Sequence, residues 1–343
     1  MTEYYGAILI TGGAGFLGAH FVNFMVQKYP QINFICIDKL NYASNIKFIK
    51  VFECSNFQFI EKDLSKISIK ELITLFKSYK ITQIINFAAE SCVDKSFIDP
   101  LFFTQNNIIS TQNLLECCRL QDRSNAIKFI HISTDEVYGE QLDNSKYVTE
   151  ESKLNPTNPY AATKAAIDLI IQSYIYSYKI PITVIRSNNV YGIGQYPEKI
   201  VPVVLEVIRK RSSGENIYAK VPIHGSGKYK RTYLYTTDFI EAIELIWLKQ
   251  LQGQLLGEIF NVGGDHNHNF EIENLDLVKL IMETYETISG NQCTDYIEFI
   301  KDRNYNDSRY LLDCSKMKSL GWEPKISLQE GITKIIKQYY HKD

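Results

Sequence analysis

Residues 7–18 read Ala7-Ile8-Leu9-Ile10-Thr11-Gly12-Gly13-Ala14-Gly15-Phe16-Leu17-Gly18. The run Ala7–Thr11 is apolar at successive positions, as a parallel strand buried on both faces must be. The glycines end it, and an amphipathic stretch begins at once. Glycines here permit a tight turn and let bare backbone approach a pyrophosphate, whose charge meets the N–H groups opening a helix. Gly18 then allows the helix to pack closely on its strand. A glycine turn alone is weak evidence, because it also serves as a purely structural turn. The second strand, however, ends in Asp38, 20 residues beyond Gly18. That is the spacing of a carboxylate that binds an adenosine ribose.

Asp38 would repel a 2′-phosphate, which favours NAD over NADP, although the neighbouring Lys39 works against that preference. Asp63, after the third strand, is placed to meet the adenine amino group.

The rest of the first half repeats the strand–helix alternation. Strands are expected at Gly6–Thr11, Asn33–Ile37, Phe57–Ile60, Gln83–Phe87, Ile127–Ile132 and Ile182–Ile185. Helices are expected at Gly15–Tyr29, Ile69–Tyr79, Leu101–Gln121 and Tyr160–Tyr178. Such alternation predicts an α/β fold, a doubly wound parallel sheet covered by helices on both faces. After Asn188 turn signals multiply at Gly192-Ile193-Gly194, Tyr196-Pro197, Gly225-Ser226-Gly227 and Gly263-Gly264. We therefore expect a dinucleotide-binding domain over 1–187 and a smaller mixed α/β lobe over 188–343. Segments about 233–262, including Tyr233–Lys249 and Ile259–Val262, are expected to return to the main sheet.

Composition bounds the partners. The 343 residues are 45% hydrophobic and 22% charged, with a formal net charge of −2. That length buries a sizeable core, and no broad basic field points to nucleic acid. No apolar run reaches the roughly 18 residues of a membrane helix, and the N-terminus lacks a signal-peptide pattern. Seven cysteines, without a Cys-x-x-Cys, suggest reduced thiols in a cytoplasmic setting. No metal site is expected, and His266-x-His268 reads as a solvated loop.

The chemistry concentrates between Ser133 and Lys164. Tyr160 and Lys164 are four residues apart on an expected helix and share a face. A nearby ammonium favours the phenolate and is expected to lower the tyrosine pKa. Tyr160 then suits removal of a hydroxyl proton during hydride transfer. Pro156 and Pro159 help define the start of that helix. Thr134, Asp135 and Glu136 follow the strand that ends near Ile132, where a doubly wound sheet places ligands. Asp135 and Glu136 are adjacent, so their side chains diverge. One carboxyl can take a proton from carbon while the other protonates a leaving hydroxyl, as elimination of water requires.

These residues resemble the extended short-chain dehydrogenase/reductases, and within them the nucleotide-sugar 4,6-dehydratases, especially those acting on dTDP-glucose. Matching stretches are Thr11–Gly18, Ile37–Leu40, Ala88–Ser91, Ser133–Gly139, Pro159–Lys164 and Ser187–Asn189. Further matches are Gly225-x-Gly227 with Arg231, Asn261–Gly264, Asp302-Arg303 and Leu320–Trp322. The resemblance implies a Rossmann sheet, bound NAD and a nucleotide-diphosphate sugar substrate. It implies C4 oxidation with Tyr160 as base and Thr134 on the 4-hydroxyl. Glu136 then takes the C5 proton, Asp135 protonates the departing 6-hydroxyl, and hydride returns to C6. Leu64, Ala88, Asn107 and Ser133 join the glycine loop, Asp38, Lys39 and Asp63 as expected cofactor contacts. Ser91, Asn189, Lys199, Arg231 and Arg303 are the expected substrate contacts. A homodimer through the helices 101–121 and 160–178 is also implied.

Departures from the family pattern leave alternatives open. Cys92 stands where many such enzymes have His, Lys95 where they have Arg, and Arg303-Asn304-Tyr305-Asn306-Asp307 replaces the more usual Arg-Pro-Gly-His-Asp. These changes leave open glucose or N-acetylglucosamine, and UDP or dTDP. A bifunctional dehydratase/5-epimerase or a 4-epimerase also fits the scaffold. Glu136 leans towards retention at C5, and an epimerase would have no use for Asp135-Glu136. A non-catalytic dinucleotide sensor would be expected to lack Tyr160 or Lys164.

Overall fold

A computed structural model describes residues 6–121, 126–141, 147–264, 270–302 and 307–340. His266, His268 and Arg303 lie outside the described residues. The chain divides into two compact units. One comprises Met1–Tyr138, Lys153–Ser187 and Ile240–Asn261; the other comprises Gly139–Ser152, Asn188–Phe239 and Val262–Asp343.

The first unit opens with β1 (Ala7–Thr11), α1 (Phe16–Lys28), β2 (Asn33–Asp38), β3 (Phe57–Glu61), α2 (Ile69–Ser78) and β4 (Ile81–Asn86). Short helices α3 (Val93–Ile98) and α4 (Pro100–Phe103) lead through a π-helical segment, Thr104–Ile109, into α5 (Ser110–Arg119). Then come β5 (Lys128–Thr134), a single 3-10 turn at Asp135–Tyr138, α6 (Pro159–Tyr178) and β6 (Ile182–Ser187). The second unit begins with β7 (Asn189–Tyr191), α7 (Ile200–Ser212), β8 (Val221–His224) and β9 (Lys230–Tyr235). Helix α8 (Thr236–Leu251) carries the chain back to the first unit, where β10 (Ile259–Val262) joins the large sheet. The remainder is β11 (Glu271–Glu273), α9 (Asn274–Ser289), β12 (Ile297–Ile300), α10 (Ser315–Ser319) and α11 (Leu328–Tyr340).

The main sheet has seven strands in the order β10-β6-β5-β4-β1-β2-β3. Neighbours from β3 to β6 all pair in parallel. The order reverses direction between β1 and β4, and ligands of open α/β sheets bind beyond the carboxyl ends of the strands at such a switch. Every residue of β1 is buried. A core of Leu9, Ile37, Ile84, Leu114, Phe129 and Ile167 packs α2, α5 and α6 onto one face. The expected helix Leu101–Gln121 is not continuous: two α segments flank the π stretch. Tyr233–Lys249 also divides. Its first residues belong to β9, which pairs with β7 and β11 in a separate three-stranded sheet, and the rest is α8. The returning segment therefore starts at Ile240 rather than 233, because Lys230–Tyr235 satisfies its backbone in the second unit. That unit has its own core, in which Val204, Leu277, Ile281 and Ile336 draw α7, α9 and α11 together.

Candidate active site

The glycine loop sits at the switch point. Gly12 has φ +68°, and a Cβ there would lie 2.7 Å from the Ala88 backbone nitrogen. A Cβ on Gly18 would lie 2.2 Å from the Gly12 carbonyl oxygen. Both positions exclude any side chain, so the loop runs tight against β4 and α1 starts directly at Phe16 and Leu17 behind Gly15. The N–H groups of a first helical turn have no partner within the helix, which suits them to a diphosphate.

Asp38, at the end of β2, is buried. Its Oδ2 accepts from Ala14 N at 2.9 Å, and its Oδ1 accepts from Leu40 N at 2.9 Å and Ser44 Oγ at 2.8 Å. The carboxylate thereby ties the second strand to the glycine loop. Lys39 does not stand free beside it. Its Nζ pairs with Glu90 Oε1 at 2.6 Å, donates to Asn106 Oδ1 and lies 5.0 Å over the Phe102 ring. That pairing neutralises the cation that opposed the NAD reading. A cavity of about 590 Å³ lies alongside, lined by Lys39, Asn41, Asp63, Lys66, Phe102 and Asn106. Partial burial would raise the Asp63 pKa, but hydrogen bonds from Ser65 and Lys66 prevail and hold the carboxyl below its ordinary value. Leu64 is buried behind it. These residues fit a dinucleotide: a bare-backbone cradle, an acid at the second strand end and a cavity beyond it.

The π segment explains Asn107. Asn107 Oδ1 accepts from Glu90 N at 2.7 Å, and its Nδ2 donates to Glu90 O at 3.0 Å and to Thr163 Oγ1 at 2.9 Å. It therefore clamps the loop after β4 to α6, one residue before Lys164. Ser91 follows on the exposed side of that loop.

Helix α6 starts where its sequence dictates. Asn158 is the N-cap, its Oδ1 accepting from Ala161 N at 2.8 Å, and Pro159 occupies the first turn. Asn158 Nδ2 also donates to Glu136 Oε2 at 2.9 Å. Thr134 Oγ1 donates to Asp135 Oδ1 at 3.1 Å and accepts from Glu136 N at 3.3 Å. The two carboxylates do diverge, one towards Thr134 and the other towards the α6 N-cap. Ser133, Thr134 and Asp135 are all buried.

Tyr160 packs among Cys92, Phe103 and Val93, and the Thr134 hydroxyl faces its phenol. The expected lowering of its pKa is not what the structure shows. Burial pushes the phenol well above its ordinary value, Glu136, Asp135 and Asp168 add to the rise, and only the Thr134 hydrogen bond opposes it. The bonds of Lys164 go to β5. Its Nζ donates to the Ile132 carbonyl at 2.6 Å and lies 3.3 Å from His131 Nε2. Burial lowers the Lys164 pKa to about 8, with Asp168 working to raise it.

Beneath these groups lies a buried polar layer that the sequence reading did not single out. Arg186 Nε pairs with Asp168 Oδ2 at 2.9 Å, and Arg186 Nη1 donates to Tyr138 Oη at 2.9 Å. Tyr138 Oη donates to Asn261 Oδ1 at 2.8 Å. Asn86 Nδ2 lies 3.1 Å from His131 Nδ1 and also donates to Thr111 Oγ1, while Asn86 Oδ1 accepts from Thr11 Oγ1. Asp168 was detectable in principle, one turn beyond Lys164 on the same face.

The remaining expected substrate residues lie in the second unit. Asn189 opens β7 and Lys199 is the N-cap residue of α7. Arg231 on β9 donates from Nη1 to the Lys230 and Asp307 carbonyls and lies 5.1 Å over the Tyr310 ring.

A glycine cradle at the switch point of a parallel sheet, with tyrosine and lysine four apart on the helix after β5, defines a short-chain dehydrogenase/reductase. Residues 9–335 match the family described as GDP-mannose 4,6 dehydratase, and the chain belongs to that family. It is 50% identical to an uncharacterized protein of Schizosaccharomyces pombe, over 98% of each chain. It is 38% identical to the human dTDP-D-glucose 4,6-dehydratase, over 97% of this chain and 89% of that one. A solved dTDP-glucose 4,6-dehydratase of Streptomyces venezuelae, DesIV, with NAD and TYD bound, superposes with a TM-score of 0.84. The identity is 31%, covering 98% of this chain and 97% of that one.

Proposed function

We propose that this chain is an NAD-dependent nucleotide-sugar 4,6-dehydratase, a hydro-lyase forming a 4-keto-6-deoxy sugar nucleotide. The observation that carries this reading is the Asp135-Glu136 pair on one 3-10 turn beside Thr134 and Tyr160. Bound NAD supplies the acceptance of hydride from C4 of the hexose and its return at C6. Thr134 orients the 4-hydroxyl, and Tyr160 takes its proton, the positive nicotinamide ring of bound NAD being the charge that would lower the phenol pKa that burial raises. The ketone then acidifies C5, whose proton Glu136 removes, while Asp135 donates a proton to the departing 6-hydroxyl. Glu136 returns a proton to C5 at the end. A 4-epimerase would need neither carboxyl. Gly12, Gly15, Phe16, Leu17, Gly18, Asp38, Asp63, Leu64, Ala88, Asn107 and Ser133 are the proposed cofactor contacts, with Lys39 positioned through Glu90. Ser91, Asn189, Lys199, Arg231 and Arg303 are proposed for the sugar nucleotide, arginine suiting the diphosphate through paired hydrogen bonds.

The test is mass spectrometry of purified protein incubated separately with UDP-glucose, UDP-N-acetylglucosamine and dTDP-glucose. Loss of one water from one of them is expected and would identify sugar and base together. An isomer of unchanged mass would favour the epimerase.

Two coarser features belong to the same proposal. Leu101 and Tyr176 are each 80% exposed, and Leu169 and Ile98 are also exposed on the same group of helices. Such exposed apolar side chains suit a homodimer. Light scattering should give twice the chain mass, and Leu169→Lys combined with Leu101→Lys should halve it. All seven cysteines are free thiols, which suits a reducing, cytoplasmic setting. No described helix is long and apolar enough to cross a membrane.

A further inference from the structure

We propose that His131 is a positioning residue for Lys164: its imidazole accepts one N–H of the lysine ammonium and fixes that charge against the end of β5. The proposal rests on the dehydratase reading for its kinetic consequences, but its geometry stands alone. Lys164 is 3% exposed and brings three donors into a site nearly closed to water. The Ile132 carbonyl takes one at 2.6 Å, and His131 Nε2, at 3.3 Å, is placed for a second.

His131 is 1% exposed and is surrounded by polar groups from several elements. Lys164 and Asp168 face it from α6, with Asp168 Oδ1 4.0 Å from Nε2. Asn86 faces it from β4, its Nδ2 3.1 Å from Nδ1 as placed, backed by Thr11 of β1 and Thr111 of α5. Arg186 of β6 engages the other oxygen of Asp168. Burial and the neighbouring lysine hold the His131 pKa well below its ordinary value, so the ring is neutral at working pH. A neutral imidazole has one donor and one acceptor. If Nε2 accepts from the ammonium, the ring proton must sit on Nδ1 and the Asn86 oxygen must turn to receive it. The Thr11 and Thr111 hydroxyls can each donate or accept, so the carboxamide fits either way round. Lys164 thus selects the tautomer, and the Asn86 clamp holds the ring.

The consequence concerns pH. Burial brings the Lys164 pKa to about 8. Hydrogen bonding to the charged form raises a lysine pKa, and its loss lowers it. If turnover needs the ammonium, activity is present below the lysine pKa and lost above it. Removing the imidazole acceptor should therefore move the alkaline limb of kcat towards neutrality.

The experiment is kcat and KM against pH for wild type, His131→Phe and His131→Gln, on whichever sugar nucleotide the wild type dehydrates. Phe keeps the ring but offers no acceptor, whereas Gln offers a carbonyl oxygen. His131→Phe should shift the limb down by about one pH unit, cutting kcat about tenfold on that limb, with KM little changed. His131→Gln should restore most of the loss. A His131→Phe variant with the wild-type limb would overturn the proposal. A second measurement is independent of activity and of that variant's folding: imidazole nitrogen NMR of the wild type. One Nδ1–H tautomer is expected, with an Nε2 signal that follows a titration near pH 8 and ceases to do so in Lys164→Met. An Nε2–H tautomer, or a signal blind to that titration, would refute it. A wild type inert towards every sugar nucleotide would instead defeat the dehydratase reading and leave the NMR result to stand.

Discussion

Replacing Tyr160 with Phe should lower kcat by about 10³-fold, within the range for losing a positioned general base. The substitution removes one hydroxyl and keeps the ring that packs on Cys92 and Phe103. Helix α6 keeps its Asn158 cap, so thermal unfolding should stay close to wild type. The structural cost is limited to the phenol's polar contact with the Thr134 hydroxyl. In the proposed reaction, proton removal at the 4-hydroxyl precedes every later step. The variant should therefore show no near-ultraviolet absorbance from reduced nicotinamide when sugar nucleotide is added. Steady-state turnover and that absorbance are the two measurements. Turnover within tenfold of wild type would remove Tyr160 from its role.

Glu136→Gln should fail at a different point, and the difference is diagnostic. Its amide oxygen can still accept from Asn158 Nδ2, so the start of α6 is preserved. The proposed base for C5 is lost. Oxidation at C4 should proceed, reduced nicotinamide should accumulate, and water loss should slow by about 10²–10³-fold. Absorbance without a dehydrated product is the expected signature, read by spectrophotometry and mass spectrometry on one sample. Normal product formation would transfer the C5 role elsewhere. Together the two variants separate the redox half of the reaction from the elimination half.

Much of the fold was legible because buried parallel strands announce themselves by composition. The expected strands coincide with β1 to β6 to within two residues at every end. The helix over 101–121 read as continuous because apolar periodicity tolerates one extra residue. The clue was the polar pair Asn106-Asn107, both buried, where an ordinary helix would present a core face. The direction of Lys164 was not legible. Its partners, the Ile132 carbonyl and His131, come from a strand some 30 residues earlier. A histidine between Ile130 and Ile132 reads as part of the core until the lysine is seen against it. The buried Arg186–Asp168 pair was hidden likewise, since either residue alone resembles a surface charge.

The π stretch carries a consequence for anyone stabilising this protein. It is an α-helix bearing one surplus residue. Excising a single position between Thr104 and Ile109 would give a regular helix and better backbone hydrogen bonds. It would also rotate everything on one side of the cut by about 100°, one residue's share of a turn. Asn106 would leave Lys39, and Asn107 would leave Glu90 and Thr163. A redesign scored on helical regularity would thus gain backbone order while unbolting the loop after β4 from α6. The irregularity acts as a phase adjuster, and the engineer should leave it in place.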